Sequence, residues 1–105
     1  MIDTARHYIS VPKIKTLLET MALFKLNILH WHIVDDESFP LKLSSHPELA
    51  EGAYSQNQIY TVADLKDIIS VADKNGIKII PELDTPAHVR SWGRSSAWKD
   101  KGVVR

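Results

Sequence analysis

The sequence predicts an α/β protein built on a parallel sheet. Three observations carry that expectation. Helical and strand-like patterns alternate along the chain. The run "LNILHWHIV" at 26–34 is apolar on both faces, as a parallel strand covered on both sides would be. Ionisable residues gather at three successive strand ends, "DTARH", "HWHIVDD" and "PELDTPAH", the side on which parallel α/β architectures do their chemistry.

The elements follow in order. A first strand is clipped to "MID". A helix is expected over 11–24, with Ser10 as its cap and Pro12 in the first turn, where a missing N–H costs little. Ile14, Leu17, Leu18 and Met21 repeat at helical spacing and give it one apolar face. The strand at 26–34 comes next, then a loop over 35–60 containing Pro40, Pro47 and Gly52. A second helix is expected over 61–75. Thr61 is its N-cap and Asp64 the capping-box partner. Leu65, Ile68, Ile69 and Ala72 form its buried stripe, and Gly76 takes the C′ position. The last strand lies in "IKIIPELD" (77–84) and is expected over 77–83, with Pro81 near its end.

Bulk properties exclude several classes. The chain has 105 residues, no cysteine, and 13 basic against 13 acidic residues. No net field favours nucleic acid or an anionic membrane. No apolar run approaches the roughly 20 residues of a membrane helix, and no h-region marks a signal peptide. Disulfides and thiolate metal sites are excluded, and no Asn-x-Ser/Thr acceptor occurs.

The strand ends supply the candidate site residues. His30 and His32 lie two apart on a strand and share a face. They could bind zinc, or each could be a histidine hydrogen-bonded within the sheet. Asp35 and Asp36 are adjacent and are expected to point in opposite directions, one to the pocket and one to the loop. Glu82 and Asp84 are two apart and could share a face. Arg6 offers a planar fork of donors to ligand hydroxyls, or a salt bridge to Asp3 or Asp35. His88 could pair with a carboxylate. Trp31, Trp92 and Trp98 could stack on sugars but are expected to fill the core.

Five motifs occur in one order: DTxRHY, HWHxVDDxSFP, GAYS, YT and PExDTPxH. They lie in "DTARHYISVPKIKTLLETMALFKLNILHWHIVDDESFPLKLSSHPELAEGAYS" and "YTVADLKDIISVADKNGIKIIPELDTPAHVRSWG". This series resembles the β-N-acetylhexosaminidases of glycoside hydrolase family 20, from about Ile2 to about Trp98. The resemblance implies a (β/α)₈ TIM barrel with its site at the carboxyl end of the strands. It implies hydrolysis of terminal β-linked N-acetylglucosaminide or N-acetylgalactosaminide glycans with retained configuration. The nucleophile is then the substrate's own acetamido oxygen. Arg6 matches the arginine that binds hydroxyls of the terminal sugar. Asp35 matches a carboxylate partnered by a histidine, here His88, and the two tune the acid/base glutamate. Glu82 and Asp84 fall in a matching motif with supporting roles. His30 and His32 become structural or supporting, with no metal and no cofactor. The resemblance also implies a lysosomal, secreted or periplasmic setting and a homo- or hetero-dimeric parent.

Departures from the family pattern set further expectations. No Gly-Gly-Asp-Glu type motif occurs, so the acid/base glutamate and its neighbouring aspartate are not encoded here. "DTPAH" stands where DTPGH is commoner, so Ala87 is harmless unless that position needs positive φ. A complete barrel takes about 250 residues. Residues 1–105 are therefore expected to be a partial catalytic barrel of about three β/α units, inactive alone. Two alternatives stand beside this: a non-catalytic product that binds sugar or a partner subunit, and a metal-dependent barrel hydrolase using His30 and His32. A metal titration and an assay of the chain alone would separate them.

Overall fold

The computed structural model of the protein describes residues 1–100. The order of elements is β1 (Ile2–Asp3), α1 (Val11–Leu23), β2 (Ile28–Val34), α2 (Val62–Lys74) and β3 (Lys78–Leu83). Two short 3₁₀ helices, Pro47–Gly52 and Arg90–Arg94, sit in the loops after β2 and β3. The strands form one parallel sheet in the order β1-β2-β3. The expected α/β fold is therefore present, with each strand beginning a residue or two later than the apolar pattern.

The helix ends show which local rules hold. Thr61 and Asp64 form a complete capping box: the threonine hydroxyl accepts from Asp64 N–H at 3.2 Å, and the Asp64 carboxylate accepts from Thr61 N–H at 2.9 Å. Gly76 follows α2 with φ 67°, as a C′ glycine does. Ser10 stands at the N-cap of α1, but its side chain makes no capping bond. Pro12 takes the place of one donor a cap would satisfy. At the other end of α1, Lys25 adopts φ 59° where a glycine would be expected. A side chain there costs roughly 1–2 kcal/mol, so packing terminates α1 rather than sequence preference.

The sheet is covered on one face. Leu29, Trp31 and Ile33 point to the helices and join Ile14, Leu18, Met21, Ile68, Ala72 and Ile77 in one core. Trp31 is 2% exposed, and its indole N–H donates to the Thr4 hydroxyl at 2.9 Å. Tyr60 packs edge-on to Trp31 and stacks on Tyr8, so Trp31 fills the core as expected. Trp92 and Trp98 pack against the same core from the loops.

Two expectations need correction. Double-sided apolarity in β2 does not mean double-sided cover among the described residues. Ile28 on its other face is 53% exposed, as is much of Ile80 beside it. Ile69, placed in the buried stripe of α2, is half exposed and lines an apolar cavity of about 830 Å³ with Leu65, Ile79 and Pro81. Pro81 lies two residues before the end of β3, close to it as expected. Lys78 N–H bonds to β2, so by alternation the Pro81 nitrogen faces away from β2, and the proline removes no bond of the β2–β3 ladder.

Candidate active site

The carboxyl ends of the strands converge on Asp35. The residue follows β2 directly and is 1% exposed. Its carboxylate survives burial because both oxygens are fully engaged. Oδ2 lies 2.7 Å from His32 Nε2 and 2.9 Å from a terminal nitrogen of Arg6. Oδ1 accepts from Asp36 N–H at 2.6 Å and lies 3.0 Å from His88 Nδ1. The main chain is fixed too: Asp35 N–H donates to Ser38 O, and Ser91 Oγ donates to Asp35 O at 2.5 Å. Burial pushes the carboxyl up. The Asp36 amide, the two imidazoles and Arg6 outweigh it and hold the group below the ordinary aspartate value.

The neighbours carry the opposite sign. Burial works against protonating His32, but its bonds to Asp35 and Glu82 raise its pKa. The contact with Asp35 raises His88. Glu82 bridges the two strand histidines, with Oε1 2.5 Å from His32 Nδ1 and Oε2 2.7 Å from His30 Nε2. Those bonds lower its pKa. Strand pairing makes this possible: His32 and Glu82 are direct partners in the β2–β3 register and share a face.

Arg6 makes both expected salt bridges together. Its guanidinium meets Asp3 at 2.7 Å, Asp35 at 2.9 Å and Glu37 at 3.0 Å. A guanidinium has five N–H donors. Three are taken by these pairs, and the side chain remains 46% exposed.

The structure thus brings Arg6, Asp35, His88, His32, His30 and Glu82 into one connected cluster. Asp84 lies at its margin: it, His32 and Asp35 each offer a ligand atom within 4.8 Å of the others. Asp35, Asp36 and His88 do the same. Asp36 is therefore not turned away from Asp35. The strand ends at Val34, and alternation no longer governs the next two residues. A cation in either trio would displace a donor already on Asp35. His30 and His32 do not converge on a common point for a metal but on Glu82, and His30 belongs to neither trio.

Sequence reasoning missed Glu37 and Ser91, whereas Asp36 takes the loop role expected of one of the two aspartates: its carboxylate accepts from Arg90 N–H at 2.8 Å. Glu37 had a signal: an acidic residue in the rim loop opposite an arginine. Ser91 had none, because its position depends on the close approach of two loops. A Cβ on Gly52 would stand 2.3 Å from Ser91 O, so that approach requires glycine. Ala87 is compatible with its site, since the positive φ falls on His88, at 61°.

Known proteins match this chain in sequence and fold. The family model for the catalytic domain of glycosyl hydrolase family 20 matches residues 1–100. Beta-hexosaminidase 3 of Arabidopsis thaliana is 47% identical over 103 residues, covering 96% of this chain and 19% of its own. Beta-hexosaminidase subunit beta of Homo sapiens is 48% identical over 95 residues, covering 90% of this chain and 17% of its own. Among solved structures, Flavobacterium johnsoniae chitobiase superposes with a TM-score of 0.84 at 36% identity, covering 92% of this chain and 15% of that one. The β-N-acetylhexosaminidase of Streptomyces coelicolor does so with 0.83 at 33%, covering 97% and 22%. The chain thus spans about a fifth or less of the length of these relatives.

Proposed function

The chain belongs to glycosyl hydrolase family 20, and we propose that residues 1–105 form part of a catalytic (β/α)₈ barrel that removes terminal N-acetylhexosamine residues from glycans. The observation that carries this reading is the buried Asp35 carboxylate, bonded to His88 and Arg6 at the carboxyl ends of parallel strands. In such barrels that end is where substrate meets catalytic groups.

The residues divide the work. Arg6 keeps two N–H donors beyond its three ion pairs, and these serve hydroxyls of the terminal sugar. Its carboxylate partners fix the plane of the fork in advance, so little side-chain entropy is lost on binding. Asp35 holds His88 by Nδ1, and in this reading the other ring nitrogen serves the proton donor. His88 thereby positions that donor and biases its pKa. Retention follows from attack by the substrate's own acetamido oxygen, so no enzyme nucleophile is needed in this stretch. Glu82 and Asp84 support the rim. Relatives named as a beta subunit support pairing of the complete protein with a second subunit.

The acid/base glutamate is supplied by another strand of the barrel. The 105-residue chain alone is therefore expected not to hydrolyse an aryl N-acetyl-β-glucosaminide measurably. The positive test is a chimera. Residues 1–100 replace the matching stretch of a complete family member, and turnover is followed with the same substrate. Retained hydrolysis with retained anomeric configuration supports the reading. A folded but inactive chimera, or robust turnover by the chain alone, overturns it.

A further inference from the structure

We propose that His32, clamped between Glu82 and Asp35, is a positioning residue held as an imidazolium, and that it keeps Asp35 anionic with Oδ1 committed to His88. Its functional meaning rests on the reading of Asp35 and His88 above; its geometry does not. Nothing in that reading requires the second strand histidine or its glutamate.

The argument is one of proton counting. Both ring nitrogens of His32 face carboxylate oxygens, Nδ1 at 2.5 Å from Glu82 and Nε2 at 2.7 Å from Asp35. A neutral imidazole has one N–H and one lone pair. It would set that lone pair against a carboxylate lone pair at hydrogen-bond distance, unless the carboxyl itself carried the proton. Asp35 has no room for one, since its oxygens already receive Asp36 N–H, Arg6, His88 and His32. Glu82 is 43% exposed and also receives His30, so water and a second donor favour its ionised form. The shared proton therefore belongs on the ring.

The charges around His32 agree. Asp3 faces it from β1 in direct register, Glu82 from β3, and Asp35 and Asp84 from the loops. Arg6 and His88 reach it through Asp35, and His30 through Glu82. Four carboxylates thus surround a ring that is 6% exposed, with Arg6 the one permanent cation among these groups. The upward pull of Asp35 and Glu82 on His32 exceeds the opposing effect of burial. One consequence is orientation. His32 and Arg6 occupy Oδ2, so His88 has Oδ1, which it shares with the Asp36 amide.

The test reads the ring protons of the uniformly ¹⁵N-labelled chain by long-range ¹H–¹⁵N spectra across pH. His32 is expected to show two protonated nitrogens at neutral pH and to titrate above a free imidazole. Glu82→Gln, which keeps shape but removes charge, is expected to shift the His32 midpoint down; Glu82→Asp keeps it raised. His32→Gln retains a donor to Asp35 but no charge, and is expected to shift the His88 midpoint up, because a nearby cation has gone. A single-proton His32 ring at neutral pH overturns the proposal. So does a folded Glu82→Gln variant with an unchanged His32 midpoint. Should that variant lose its folded amide dispersion, the wild-type ring spectrum decides alone. Loss of hydrolysis in the chimera would leave these signals unchanged, so the two readings can fail separately.

Discussion

The two faces of one sheet are held by different forces. On the helix-covered face, Leu29, Trp31 and Ile33 are buried by side chains of α1 and α2, and cohesion comes from apolar area. On the opposite face, Ile28 and Ile80 stay exposed, and cohesion begins only at the rim. There His30, Glu82, His32, Asp35, His88 and Arg6 bind one another by charge. The sheet thus separates structural work from chemical work by the direction of each side chain. A strand with period two can carry both in alternate residues: Trp31 serves one face, and His30 and His32 the other.

The largest effect should fall on the covered face. Trp31→Ala opens a cavity and removes the N–H that the Thr4 hydroxyl accepts, and is expected to cost about 3–5 kcal/mol in urea unfolding. A loss below about 1 kcal/mol would mean that the covered face is not the core.

The rim should show itself through pH. Asp35 and Glu82 lie below their ordinary values of 3.8 and 4.5, so their stabilisation is complete above those values and fades as pH falls. His32 and His88 lie above 6.5, so theirs is complete below 6.5 and fades as pH rises through the raised values. The urea midpoint is expected to plateau between 4.5 and 6.5 and to decline on both sides. Asp35→Asn should lower the plateau and flatten its alkaline limb. A wild-type midpoint that climbs from pH 6.5 to about 8 would contradict the charged-rim account.

The smallest effect belongs to the open face. Ile80→Ala is expected to change stability by no more than about 0.5 kcal/mol, as exposed positions do. A cost near that of Trp31→Ala would show that something covers this face in solution.

The same division explains what could be read from the sequence. The parallel α/β order, the capping box at Thr61 and Asp64 and the C′ glycine were legible, because each depends on a few neighbouring residues. Cover was not. "ILHWHIV" and "KIIPEL" both set apolar residues on either face, yet among the described residues β2 is central and buried while β3 lies at the edge and is half exposed. Burial depends on neighbours in space. The site divided likewise. Arg6, Asp35 and His88 were named from motif resemblance, and Arg6 with Asp35 also as a possible salt bridge. The His30–Glu82–His32 bridge needed the strand register, which pairs His32 with Glu82 across 50 positions. Ser91 needed the approach of Gly52 to its carbonyl.

The central claim is that the Asp35 cluster governs proton transfer, while Arg6 governs sugar binding. Steady-state kinetics of the chimera with Asp35→Asn and with Arg6→Lys test it most directly. Asp35→Asn is predicted to lower kcat by about tenfold or more, equivalent to about 1.4 kcal/mol of barrier, with a smaller rise in KM. Arg6→Lys is predicted to act mainly through KM, because an ammonium cannot replace the guanidinium fork. An Asp35→Asn enzyme with unchanged kcat and a raised KM would contradict the account.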